Sequence, residues 1–295
     1  MTATPVHPAA PVHPAAGPLK AVGWTVAFLV AGFALTLVVG VGGFALTGRL
    51  SAGGEPGPQG LVIQTISGLV GFGVVTWAIG IRVLGLTLED LRWLPLARAG
   101  RGFSWGLLLG SLPAVLALGL SVLLGDARFL PDTGGPLGYL GQVGLTGLIL
   151  APAALLEELA FRGVGQVVLA RAFGRVPAIL VLSIVFALAH ISNPNTTTLG
   201  LVNIALAGVF LGIAFYAPGG IWCAWGAHLG WNATLAAMDA PVSGLPFRIP
   251  WIDYQPGGPA WLTGGSFGPE GGLLATGAIA LAAAAAWHWS RRETA

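Results

Sequence analysis

From Ala21 to Thr47 the chain carries no charged residue. A helix needs about 20 apolar residues to cross the hydrocarbon core of a bilayer, so this run is long enough to span. Inside lipid every backbone N–H and C=O must find its partner within the protein, which leaves only helices and closed barrels. The apolar runs here are too long for strands. Eight of them can be placed, at roughly 21–47, 60–82, 103–124, 138–170, 174–193, 197–217, 220–238 and 272–289. The expected fold is therefore all-α, a polytopic transmembrane helical bundle of about eight spans. Composition agrees. Charged residues make up 8% of the 295 residues, against about 25% in soluble domains, and the mean hydropathy is +0.82. The 47 glycines fit helices whose backbones approach closely.

The rest of the chain divides around these runs. Residues 1–20 repeat Pro-Val-His-Pro-Ala-Ala and are expected to be a disordered cytoplasmic tail, with His7 and His13 solvated. The run at 21–47 is too long for the apolar part of a signal peptide and reads as a spanning helix. Residues 21–293 form one transmembrane domain. Leu88-Glu89-Asp90-Leu91-Arg92-Trp93-Leu94 is amphipathic and expected at the membrane interface. The Pro/Gly-rich loop at 239–271 holds Trp251, Tyr254 and Trp261 and is expected against the headgroups. Cys223, the single cysteine, rules out an intrachain disulfide and reads as a packing residue. With a net charge of +2 and no basic tract, a nucleic-acid partner is not expected.

With the N-terminus in the cytoplasm, nine basic residues fall on the inner side: Lys20, Arg82, Arg92, Arg98, Arg101, Arg171, Arg175, Arg291 and Arg292. Three, Arg49, Arg128 and Arg248, fall outside. That bias predicts a multi-pass protein of the cell (plasma) membrane with both termini cytoplasmic.

Three motifs interrupt the apolar runs: Glu157-Glu158-x-x-x-Arg162, Phe186-x-x-x-His190 and His228-x-x-x-Asn232. Residues four apart share one face of a helix, and polar groups in lipid are expensive enough to point to function. Glu157 lies seventeen residues before the turn near Gly174 and His190 sixteen after it. At about 1.5 Å per residue both sit roughly 25 Å along their helices, level with each other. Asn232 and His228 lie about 18 and 12 Å past Gly220, a similar depth.

Chemistry separates the roles. Glu158 and Arg162 stand in the favourable order for an i,i+4 ion pair, which offsets the burial of Arg162. Glu157 is turned about 100° away and is left unpaired, the setting that suits a general base. His190, at its level, could share a water with it. His228 and Asn232 offer N–H donors on one face, the makings of an oxyanion hole. Phe186 packs to fix the His190 ring.

Read in this order, the motifs resemble the CPBP family of intramembrane proteases, which includes the type II CAAX prenyl endopeptidases and bacteriocin-processing and abortive-infection proteins. The family pattern is E-E-x-x-x-R, then F-x-x-x-H, then H-x-x-x-N or D, and every position is met here over a core of about 103–238. The resemblance implies a glutamate-dependent intramembrane endopeptidase. Glu157 with His190 would activate water, His228 and Asn232 would form the oxyanion hole, and Glu158, Arg162 and Phe186 would support them. The family has also been described as metal-dependent. Glu157, His190 and His228 could supply ligands to Zn, although His-Glu-x-x-His spacing is absent; no cofactor is required by the reading above. The composition fits a bacterial chain, in which prenylated substrates are not expected, so the expected substrate is a membrane-associated protein or peptide. The competing readings are a non-catalytic membrane scaffold of the same fold and a proton-coupled transporter. Against the transporter, the chain has no paired discontinuous helices or half-to-half repeat.

Overall fold

The computed structural model describes residues 17–47 and 58–291. The chain folds as α1 (Pro18–Leu46), α2 (Pro58–Val75), α3 (Leu96–Gly125), β1 (Arg128–Pro131), α4 (Pro136–Arg162), α5 (Val164–Phe173), α6 (Arg175–Ala189), α7 (Thr198–Ala214), α8 (Ile221–Ala237), β2 (Ile252–Gln255), α9 (Ala260–Thr263) and α10 (Leu273–Ser290). The repeat with His7 and His13, and the charges Arg49 and Arg292, lie outside the described residues. Pro18 to Lys20, placed in the tail by sequence, form the first turn of α1. A proline at the first helical position gives up no hydrogen bond and is pre-set in φ.

Among the described residues, five helices are long and apolar enough to cross a membrane: Pro18–Leu46, Gln59–Val83, Leu96–Gly125, Pro136–Phe173 and Leu273–Ser290. The count of eight is not matched by these. The expected spans at 174–193, 197–217 and 220–238 are helices of 15, 17 and 17 residues, at or below the short end of the length that crosses a bilayer. Polar residues explain the first boundary. After His190 the chain reads Ile-Ser-Asn-Pro-Asn-Thr-Thr-Thr, turns on itself, and restarts only where the Thr197 side chain accepts the Gly200 N–H at 3.0 Å, an N-cap.

Helix α8, which carries the third motif, is set by its contact with α3. Gly102, Gly106 and Gly110 form a smooth stripe on α3, and a Cβ on any of them would collide with the backbone at Gly219, Cys223 or Ala227. Gly226 and Gly230 answer on α8, against the Phe103 and Leu107 carbonyls. Such small-residue seams let backbones meet where lipid supplies no hydrophobic drive. The seam begins at Gly219 and Gly220, whose φ values of 116° and 58° are open to glycine without a Cβ penalty.

Residues 88–92 form a turn. Thr87 and Asp90 cap each other, Leu91 is buried, and Arg92 reaches inward to donate to the Phe215 carbonyl at 2.7 Å. The 239–271 loop also folds inward. Its β2 pairs antiparallel with β1, Tyr254 beside Phe129, while Trp251 and Trp261 stay exposed.

Candidate active site

Three helices deliver the motifs to one place. Helix α4 ends at Gly163, and α5 restarts from it in a new direction. The one 138–170 span expected from sequence is thus bent. The bend lies beyond Glu157 and leaves it facing His190 all the same: His190 Nε2 stands 3.8 Å from Glu157 Oε2. His228 Nε2 approaches the same oxygen to 3.6 Å. Glu157 Oε2 is itself buried and makes no hydrogen bond to any described residue.

The ring orientations follow from what holds the other nitrogen. His190 caps the end of α6, and its Nδ1 lies 2.8 Å from the Phe186 carbonyl, four residues back. A carbonyl only accepts, so Nδ1 carries the proton and Nε2 of the neutral ring keeps its lone pair toward Glu157. Phe186 packs edge-on against the ring at 4.7 Å between centroids. His228 Nδ1 lies 2.8 Å from Glu158 Oε1.

Glu158 and Arg162 form the ion pair that their spacing predicts, at 3.2 Å, and both are essentially inaccessible to solvent. The Arg162 guanidinium also lies 4.4 Å over the Phe186 ring and reaches the Gly208 carbonyl at 3.5 Å. Beside it, Gln166 donates to the Gly212 carbonyl at 3.1 Å. The buried cation is thereby held by a carboxylate, a ring face and a carbonyl, and these bonds fasten the α4–α5 bend to α7.

Glu157, Phe186, His190, His228 and Asn232 all line one cavity of about 360 Å³. One part of it is apolar and runs between α1, α2 and α4, past Phe33, Leu61, Thr65 and Leu150. Ser243 and Glu270 line it as well. Neither belongs to the three motifs. Glu270 is a buried acid whose Oε1 accepts the Trp231 indole N–H at 3.0 Å. Nothing in its local sequence, Phe-Gly-Pro-Glu-Gly-Gly, marks it, since a lone acid in a glycine-rich loop reads as solvated. The His228–Glu158 bond was equally unmarked, because spacing along α4 assigned Glu158 to Arg162 alone.

No curated protein and no solved structure matches the chain. Residues 139–234 match the family model of the type II CAAX prenyl endopeptidases, Rce1-like. This segment holds all three motifs, and over it the chain is similar to the CPBP family of intramembrane proteases.

Proposed function

We propose that the protein is an intramembrane endopeptidase that hydrolyses peptide bonds of a membrane-associated protein or peptide with a water activated by Glu157 and His190. The observation that carries this reading is the buried, unbonded Oε2 of Glu157, facing two histidine Nε2 atoms at 3.8 and 3.6 Å across a cavity. A water in that space gives one hydrogen to Glu157 Oε2 and the other to the His190 Nε2 lone pair. Its oxygen lone pair is then free to attack a carbonyl carbon. Glu157 takes the proton as the new C–O bond forms and returns it to the amine as the C–N bond breaks.

The carbonyl oxygen becomes an oxyanion and needs donors. Asn232 supplies its amide N–H. His228 supplies Nε2–H, which it carries only as an imidazolium, because Nδ1–H is committed to Glu158. Donors set in advance in a dry site are worth far more than in water. Glu158, Arg162 and Phe186 support the rings and touch no substrate.

A zinc site fits less well. Ligands at about 2.0–2.1 Å from a tetrahedral zinc lie about 3.3 Å from one another, closer than the distances around Glu157. Among the described residues no group of three His, Cys, Asp or Glu side chains is arranged to hold a metal. The steps above therefore run through no metal.

The membrane and a protein or peptide are the partners of this reading. Orientation has support in the contacts at one end of the bundle. Arg92 binds the α7–α8 turn, Arg175 stacks 4.7 Å over Tyr216 in that turn, Arg171 pairs with Asp90, and Arg291 shares a cleft with Arg175. The positive-inside bias supports reading that end as the cytoplasmic one, with the C-terminus on the cytoplasmic side of the plasma membrane. The test is substrate trapping in the native membrane. Glu157→Gln keeps shape but removes the base, so it should retain intact proteins that the unaltered enzyme cleaves. Function that survives Glu157→Gln would overturn the reading and favour a scaffold.

A further inference from the structure

The cavity is also lined by a turn outside all three motifs and outside the matched segment. Val242 and Leu245 exchange backbone hydrogen bonds at 3.0 and 2.9 Å. The two residues between them, Ser243 and Gly244, both have positive φ, 48° and 86°. This is the geometry of a type I′ turn. Glycine adopts it freely, but Ser243 does so at a cost of about 1–2 kcal/mol. Something must hold it there.

Glu270 does. Its Oε2 accepts the backbone N–H of Ser243 and, at 3.1 Å, the Ser243 hydroxyl. Its Oε1 accepts the indole of Trp231, the neighbour of Asn232 on α8. On the other side Asn193 donates to the Ser243 carbonyl at 2.9 Å, and Asn193 lies in the turn that follows His190. The Glu270 backbone is fixed in turn, because Asn203 of α7 donates to the Glu270 and Gly272 carbonyls at 2.7 and 2.9 Å. One buried carboxylate thus ties the turn to α8 beside Asn232. The turn is tied in turn to the segment bearing His190. Val242, Leu245 and Phe247 from the same stretch line the cavity that holds Glu157.

We propose that the 242–247 stretch is the substrate-selecting wall of the cavity and that Glu270 is the positioning residue that holds it in place. The proposal rests on the protease reading for its substrate-facing half. The clamp itself does not depend on it. A peptide lying with its carbonyl toward Asn232 must pass this wall, and its side chains meet Val242, Leu245 and Phe247. Glu270 touches no reacting atom. It acts by fixing where the wall stands.

The test uses the full chain in nanodiscs. Glu270→Gln keeps size, but its amide can satisfy either the Trp231 N–H or the Ser243 N–H with its one oxygen and sets an NH₂ donor against the other. Hydrogen exchange of residues 242–245 should accelerate about tenfold, the loss of roughly one charged hydrogen bond. Unchanged exchange overturns the clamp. Ser243→Gly, which relieves the φ strain, should restore part of that protection in the Glu270→Gln background if the variant is folded; no restoration counts against the clamp. The second readout is an internally quenched peptide library. Glu270→Gln should raise KM about tenfold with kcat within about threefold and broaden the residues accepted. Leu245→Ala and Phe247→Ala should reorder them. A fall in kcat alone, with the ranking unchanged, overturns the wall. Absence of cleavage by the unaltered protein overturns the protease reading and the wall with it, while exchange still decides the clamp.

Discussion

Glu158 Oε1 lies 2.8 Å from His228 Nδ1 and 3.2 Å from Arg162 Nη1. One buried oxygen therefore joins the first motif to the third. It turns a pair that looked purely structural along α4 into the link that orients an α8 ring. The other nitrogen of that ring looks at Glu157, so the two adjacent glutamates meet His228 at its two nitrogens. Glu158 Oε1 takes two donors, whereas Oε2 of both glutamates has no hydrogen-bond partner among the described residues.

Glu157→Gln should abolish cleavage while leaving the fold intact. General bases contribute about 10²–10⁴ in rate, and the amide removes the base with almost no change in volume. Single-turnover cleavage of a trapped substrate, compared with melting in detergent, checks both halves. A variant with rate within tenfold of the unaltered enzyme would remove Glu157 from the chemistry.

Glu158→Ala should act first on stability. It leaves Arg162 buried without its carboxylate, and breaking a buried pair costs about 3–5 kcal/mol. The double substitution Glu158→Ala, Arg162→Met should recover much of that loss yet leave activity low, because the His228 Nδ1 bond is still missing. Thermal melts read the first effect and kcat the second. Recovery of activity along with stability would reduce Glu158 to a counter-ion.

The meeting of α4, α6 and α8 was legible in the sequence because helical spacing carries across three segments: Glu157, His190 and His228 were each marked by polarity in an apolar run. Helix lengths were less legible. Runs such as 174–193 look continuous by hydropathy, but α6 stops at Ala189, since the polar run from Ser192 to Thr198 can find backbone partners in a folded turn. Glu270 was invisible for a different reason. Its burial depends on Trp231, Ser243 and Asn203, each far away in sequence, and no periodicity reports such contacts.

Asn232→Ala should lower kcat by about 10²–10³ with KM little changed, the signature of a donor that acts on the oxyanion rather than on bound substrate. Steady-state kinetics on one library peptide separates the two constants. A rise in KM at constant kcat would reassign Asn232 to substrate binding.

On the proposed mechanism, in which proton transfer through Glu157 and His190 supplies the activated water, a chelator should leave the rate within about twofold. Incubation with 1,10-phenanthroline followed by assay checks this. Loss of activity that added zinc restores would instead bring Glu157, His190 and His228 in as ligands, and would require them to close up from the present 3.6 and 3.8 Å.

Stability should carry a pH signature from Glu270. Burial pushes its carboxyl above the ordinary 4.5, opposed by the hydrogen bonds from Ser243 and Trp231. The folded protein then binds this proton more tightly than the unfolded chain. By linkage the contribution to stability is fully present below about pH 4.5 and is lost as pH rises through the elevated folded value. The unaltered protein should therefore lose part of its advantage over Glu270→Gln as pH is raised from 4.5. The variant, with no proton to lose at that site, should lack this component. Melting temperatures of the two proteins in one detergent, measured across pH 4 to 8, give the difference directly. A gap that widens with pH would mean that the carboxylate is stabilised in its charged form. The hydrogen bonds from Ser243 and Trp231 would then outweigh the cost of burial.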